Sequence, residues 1–94
     1  MSLEQPTAMV LKLADEVNIY AASALHERLQ ATLQESGPIA LDLGEVTELD
    51  CAGVQQLLML KRECEATGRE LRVIAMSDAA SVVLTLLNLR QQFT

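Results

Sequence analysis

Residues 39–54 constrain the fold of this chain more than any other stretch, because the pattern of a strand is followed there by the pattern of a helix start. Three aliphatic residues alternate with Ala40 and Asp42, as expected of a strand with one buried face: Ile39, Leu41 and Leu43. Gly44 is expected to end this strand, and a short polar connection is expected to follow.

Asp50 stands where the N-cap of the next helix should lie. Its carboxylate is expected to accept a hydrogen bond from the backbone N–H of Ala52 or Gly53, and its charge suits the positive end of the helix dipole. In an open α/β sheet, this helix start would be presented at the carboxyl edge, where ligands and partners bind. The segment therefore points to a binding surface at residues 45–53 and the first turns of the helix.

Periodicity along the rest of the chain predicts the remaining elements. In chain order they are a strand at 9–13 with 17–19 as its continuation or neighbour, a helix at 22–35 capped by Gly37, the strand at 39–43, a helix at 51–66, a strand at 71–75 with both faces buried, a helix at 79–87 capped by Ser77 and Asp78, and a tail anchored by Leu89 and Phe93. Single helices between the later strands require these to be parallel. The order predicts an α/β fold: a small mixed β-sheet with helices packed mainly on one face, forming a single domain at 9–94 after an N-terminal segment at 1–8.

The composition limits the core and the partners. Half of the 94 residues are hydrophobic, yet the chain has one Phe, one Tyr and no Trp, so the core must be aliphatic. The net charge of −6 argues against nucleic acid or an anionic membrane as the partner and leaves a basic protein surface open.

The two cysteines indicate a reducing compartment. Cys51 and Cys64 fall on one helix about 20 Å apart by the helical rise, too far for a disulfide. Unpaired cysteines, no leader-like N-terminus and no apolar run long enough for a membrane span lead us to expect a cytoplasmic protein without direct membrane insertion.

The stretch LDLGEVTELDCAGVQQLL resembles the STAS domain, the module of anti-sigma-factor antagonists and of sulfate-transporter tails. The matching positions are Asp42-Leu43, Val46, Leu49-Asp50 and Gly53. The resemblance implies the fold given above and a surface that docks another protein. It also implies that position 51 corresponds to the phosphoacceptor, which is a Ser or Thr in phosphorylation-switched relatives. Cys51 departs from that pattern, and a thiol is no substrate for a protein-serine kinase, so the docking surface is implied but the phosphorylation switch is not.

We therefore expect a non-catalytic protein–protein interaction module that resembles anti-sigma-factor antagonists, with no cofactor and no metal site. Its partner would be an anti-sigma-factor kinase or another signalling protein. The alternative is a soluble STAS subunit of a phospholipid-trafficking ABC transporter, packed on its ATPase. The residues expected to bind the partner are Thr47, Asp50, Cys51, Ala52, Gly53 and Gln55.

Other interpretations of these residues stay open or are set aside. Cys51 could be a reactive thiolate at a helix N-terminus or a small replacement for Ser. Gly53 would leave room either for a partner's backbone or for close packing. A response-regulator receiver is set aside, because the phosphate-contacting Lys of such domains belongs after a late strand. The only lysines here, Lys12 and Lys61, do not follow one. No nucleophile–base pair, phosphate-binding glycine loop or metal-ligand spacing is visible.

Overall fold

The structure is a computed structural model, and it describes residues 8–93. Three strands and three α-helices alternate along this part of the chain, followed by a short 3₁₀ helix. They are β1 (Met9–Val17), α1 (Ala22–Leu33), β2 (Ile39–Leu49), α2 (Cys51–Ala66), β3 (Leu71–Met76), α3 (Asp78–Leu86) and the 3₁₀ helix (Arg90–Phe93). Most of the predicted N-terminal segment, and Thr94, lie outside the described residues.

The sheet has the order β1-β2-β3, and both pairings are parallel. The α/β class and the parallel β2–β3 pairing are confirmed. The antiparallel pairing that a mixed sheet implies is not found within residues 8–93. β2 is therefore the central strand of the described sheet.

One hydrophobic core fills the space between the helices and one face of the sheet. Along β1, Leu11 and Leu13 are buried whereas Val10 and Lys12 are exposed, which is the period-two alternation of a strand covered on one face. The helices contribute the fully buried side chains of the other layer, all aliphatic or thiol: Leu29, Leu57, Leu60, Cys64 and Leu84. The expectation that helices pack mainly on one face is confirmed.

β2 is longer than expected, because Gly44 shifts the register of the strand without ending it. Lys12 pairs with Asp42 and Ala14 pairs with Glu45, so Leu13 faces two residues of β2. A second extra residue, Thr47, lies opposite the step from Asp15 to Glu16. These two bulges let β2 reach Leu49, and Val46 and Leu49 stay buried. The predicted polar loop at residues 45–49 is wrong.

The ends of β1 and α1 also differ from the expectation. β1 continues to Val17 through Asp15, whose φ of 61° is unusual for a residue with a side chain. α1 ends at Leu33, two residues early, and Gly37 takes its positive φ of 96° in the following turn.

β3 is not the two-sided buried strand that its apolar sequence predicted. It pairs only with β2 in the described sheet, and Ile74 is exposed. The reason is its position, because an edge strand of a sheet covered on one face leaves half of its side chains open.

The helices bury their apolar faces in the core. α2 spans the predicted residues, with Leu60 fully buried and Leu58 partly buried. In α3, Ser77 is the N-cap and accepts a hydrogen bond from the Ala80 N–H at 3.1 Å. The predicted helix at 79–87 ends one residue early, at Leu86, and Leu87 is exposed just beyond it.

Candidate functional site

The first turn of α2 begins at the carboxyl end of β2, where the backbone turns at Asp50. Asp50 has extended backbone angles, and its carboxylate oxygen Oδ1 accepts a hydrogen bond from the Gly53 N–H at 3.0 Å. This is the expected cap, made to Gly53, one of the two N–H groups considered. It fixes the direction in which the helix tip is presented.

The same carboxylate holds a second segment that the sequence did not suggest. Its Oδ2 accepts a hydrogen bond from the Ile19 N–H at 2.9 Å, and the Asp50 N–H donates to the Val17 carbonyl at 3.2 Å. The Gly53 N–H, followed by that of Ile19, holds the pKa of the Asp50 carboxyl below its ordinary value of 3.8. Asp50 therefore joins the start of α2 to the turn between β1 and α1.

Gly53 faces the protein's own sheet. A Cβ placed on Gly53 would lie 2.4 Å from the Val17 carbonyl oxygen and 2.8 Å from Cδ1 of Leu49. Of the two interpretations of this glycine, the geometry favours close packing within the chain. Gly53→Arg is therefore expected to disturb the fold itself and is unsuited to testing a docking surface.

Other side chains of the predicted surface remain open to solvent. Cys51 and Gln55 are exposed on the first turns of α2, and Ala52 is half-buried between them. Thr47 is exposed on the second bulge of β2, just before the helix. The chain thus presents a small tip: exposed residues at 47, 51 and 55, with Asp50 and Gly53 supporting them from within.

The turn at residues 18–21 is a part of this region that the sequence analysis missed. Asn18 is buried, and its Oδ1 accepts hydrogen bonds from the N–H groups of Tyr20 at 3.0 Å and Ala21 at 3.2 Å. The turn leaves Ile19 65% exposed and Tyr20 93% exposed. An Asn between a strand and a helix is a recognised turn signal, and it could have placed this turn. Its contact with Asp50 has no local signal.

Carboxylates surround this turn. The Asn18 Nδ2 donates to Glu16 at 3.3 Å and to Glu48 at 2.6 Å, so two acidic side chains share one amide nitrogen. Asp15 lies beside them and is exposed. Within residues 8–93, none of these three carboxylates forms an ion pair.

Residues 8–93 contain one histidine and no cluster of metal-ligating side chains. His26, the only histidine, lies on α1, and its Nδ1 is 3.3 Å from the Gln56 amide oxygen. No group of three His, Cys, Asp or Glu side chains in the described part of the chain could hold a metal ion. Nor does any described helix have the length and apolar character of a membrane span.

The two cysteines lie in opposite environments. Cys51 is exposed at the tip, whereas Cys64 is buried in the core. Burial raises the pKa of the Cys64 thiol, because a thiolate would be poorly solvated there. Cys64 is therefore a core residue on the inner face of α2.

The chain is an α/β domain with a parallel sheet, helices on one face and a capped helix tip at the carboxyl edge of that sheet. A solved structure has the same fold. The structure entitled "Structure of the Anti-Sigma Factor Antagonist SpoIIAA in its Unphosphorylated Form" superposes with a TM-score of 0.75 at 20% sequence identity. The match covers 99% of this chain and 84% of that one. At this identity the likeness shows the fold.

The family follows from the sequence match. The family model described as "Mlab, STAS domain" matches residues 2–93. The chain therefore belongs to the STAS domain family.

Proposed function

We propose that this chain is a non-catalytic protein–protein interaction module that acts as an anti-sigma-factor-antagonist-like regulator. Its partner docks on the α2 tip through Thr47, Cys51, Ala52 and Gln55, while Asp50 and Gly53 hold the helix start in place from within. The observation that supports this best is the exposure of Cys51, Gln55 and Thr47 around a helix start fixed from two sides by Asp50. In this proposal Gly53 contributes by bringing the helix close to β1.

The residue at position 51 determines how such a module would be controlled. A phosphate at the equivalent hydroxyl would add a charge of about −1.5 to −2 next to Asp50 and would repel an acidic or apolar partner. Cys51 has no hydroxyl, so the proposed complex is not released by phosphorylation at this position. The amount of the chain in the cell would then control the complex.

A second candidate is a subunit of a phospholipid-trafficking ABC transporter, with its ATPase as the partner. Two observations favour it: the matching family model carries the name Mlab, and position 51 lacks the hydroxyl of a reversible switch. A lasting subunit contact needs no release step. Both candidates use the same tip and differ in the protein that occupies it.

Affinity capture with variants of the exposed tip tests the proposal. Cys51→Arg and Gln55→Arg each place a long cation at an exposed position of α2. Gln30→Arg makes the same change at an exposed position of α1 and is the control. We expect both tip variants to lose a partner that wild type and Gln30→Arg retain, with unchanged circular dichroism. A partner retained by both tip variants would count against this surface.

The identity of the captured protein separates the two candidates. A kinase-type anti-sigma factor or another signalling protein supports the regulator, whereas an ATPase captured together with a permease supports the transporter subunit.

A further inference from the structure

Two depressions beside the β1–α1 turn form one continuous surface next to the α2 tip. The smaller has a volume of about 140 Å³ and an apolar lining that includes Leu13, Val17 and Leu25. The larger, of about 580 Å³, is shallow and is lined by Asp15, Glu16 and Thr47 among others. Ala14, Glu16 and Ala21 line both, so an apolar notch lies directly beside an acidic recess.

Exposed apolar side chains border the recess. Tyr20 lines it and is 93% exposed, and the adjacent Ile19 is 65% exposed. An aromatic ring and an aliphatic chain held in water by a rigid turn are typical of contact residues at protein interfaces. We call Ile19, Tyr20 and the two depressions the turn surface.

The charge of the turn surface is not balanced within the described chain. Glu16 and Glu48 accept hydrogen bonds from one neutral amide nitrogen, and Asp15 stands next to them. Two cations lie nearby: Lys12 pairs with Glu45, and Arg28, which lines the notch, donates to the neutral Lys12 carbonyl at 2.8 Å. The three carboxylates still outnumber the one unpaired cation, and such an excess of like charge costs stability that an oppositely charged partner would restore.

We propose that the turn surface recognises a basic segment of the partner protein, with an Arg or Lys beside an aliphatic or aromatic residue. The aliphatic part enters the apolar notch, and the cation lies in the recess between Glu16, Asp15 and the face of Tyr20, where both carboxylates and the ring attract it. Nucleic acid and anionic lipid carry the wrong charge for this recess. A second copy of this chain, with a net charge of −6, is repelled for the same reason.

This inference rests on the proposed function and extends it, because the turn surface adjoins the α2 tip. Ile19 is hydrogen-bonded to Asp50, and Thr47 lines the recess. A partner seated on the tip would reach the turn surface without a second docking step. The partner's chemistry is thus specified by residues outside the predicted site.

A selection of phage-displayed random peptides on the whole folded chain tests this chemistry without knowledge of the partner. We expect the enriched peptides to carry Arg or Lys next to an apolar residue. Their affinity should fall by roughly tenfold or more in Tyr20→Ala. It should also fall in Glu16→Gln and with rising salt. Glu63→Gln, an exposed carboxylate on α2, is the matched control and should leave the affinity unchanged.

The remaining outcomes separate this inference from the proposed function. Peptides that are neutral or acidic, that bind Tyr20→Ala as well as wild type, or that fail to enrich would overturn the inference. Peptides that bind Tyr20→Ala but no longer bind Cys51→Arg would support the tip as the docking surface and would contradict a role for the turn surface. The reverse pattern would keep the turn surface and remove the tip.

Discussion

The carboxylate of Asp50 accepts hydrogen bonds from the backbone N–H groups of Ile19 and Gly53. These two residues are more than thirty positions apart in the sequence. The sequence suggested the bond to Gly53, because a cap is a local pattern. It did not suggest the bond to Ile19, since only the folded sheet brings β1 next to the start of α2. The predicted docking surface at residues 47–55 stays a prediction, and it lacked the adjacent turn after β1.

Asp50→Asn tests the charge of this residue, since Asn keeps one acceptor and the shape of the side chain. The pKa of Asp50 is lowered in the folded protein, so its stabilisation is fully present above the ordinary value of 3.8 and is lost as the pH falls through the folded-state pKa. We expect the variant to melt at a lower temperature than wild type at neutral pH. This difference should shrink below pH 3.8 in thermal unfolding followed by circular dichroism. A difference that stays constant with pH would contradict the assignment.

Gly53→Ala tests the packing of the helix start. Alanine normally favours a helix over glycine by about 1 kcal/mol, but here its Cβ would approach the Val17 carbonyl oxygen to 2.4 Å. We expect a net loss of about 1–3 kcal/mol in the free energy of unfolding, measured with urea. Cys51→Ala, two residues earlier and exposed, is the control and should change stability little. A stabilised Gly53→Ala would show that the helix is free to move.

The two cysteine thiols should differ in how readily a thiol reagent modifies them in the folded protein. Ellman's reagent is expected to modify Cys51 in the folded protein and to reach Cys64 only after unfolding, because Cys64 is buried and its pKa is raised. Cys51→Ser should then show no native labelling. Labelling of Cys51 much faster than that of a free peptide would revive the reactive-thiolate interpretation.

At the scale of elements, predictions held where a local pattern decides the structure. The bounds of α2 and the Ser77 cap follow from apolar periodicity and a capping residue. Gly44 misled the prediction of β2, because the two bulges opposite β1 depend on strand pairing and leave no mark in the sequence of β2. The sequence of β3 is apolar, but its position at the edge of the sheet is set by the topology and does not show in that sequence.

The 3₁₀ helix at residues 90–93 is attached to the core by a single aromatic side chain. Phe93 is 3% exposed and packs in the main core cluster. Phe93→Ala is expected to cost about 3 kcal/mol of unfolding free energy, because it leaves a cavity in an otherwise aliphatic core. Gln92→Ala in the same helix is exposed and serves as the control. Equal stability of the two variants in urea titrations would show that this segment does not contribute to the core.

For the molecule as a whole, acidic self-repulsion should be measurable. The net charge is −6, and Asp15, Glu16 and Glu48 have no ion pair in the part of the chain that the structure describes. We expect the melting temperature to rise with sodium chloride, because the screening length falls to about 8 Å at physiological ionic strength. Glu16→Gln should raise the melting temperature at low salt and reduce its dependence on salt. An unchanged salt dependence in this variant would show that the repulsion lies elsewhere.

The shared Asp50 carboxylate also restricts how the molecule can be redesigned. A substitution that shifts the β1–α1 turn moves the Ile19 N–H, which donates to the same carboxylate that caps the first turn of α2, so the two segments must be altered together. Grafting the helix tip alone onto another scaffold would remove the Ile19 donor, so only the bond to Gly53 would orient the tip. The smallest transferable unit is therefore the pair of segments 17–21 and 47–55 with the strands that hold them side by side.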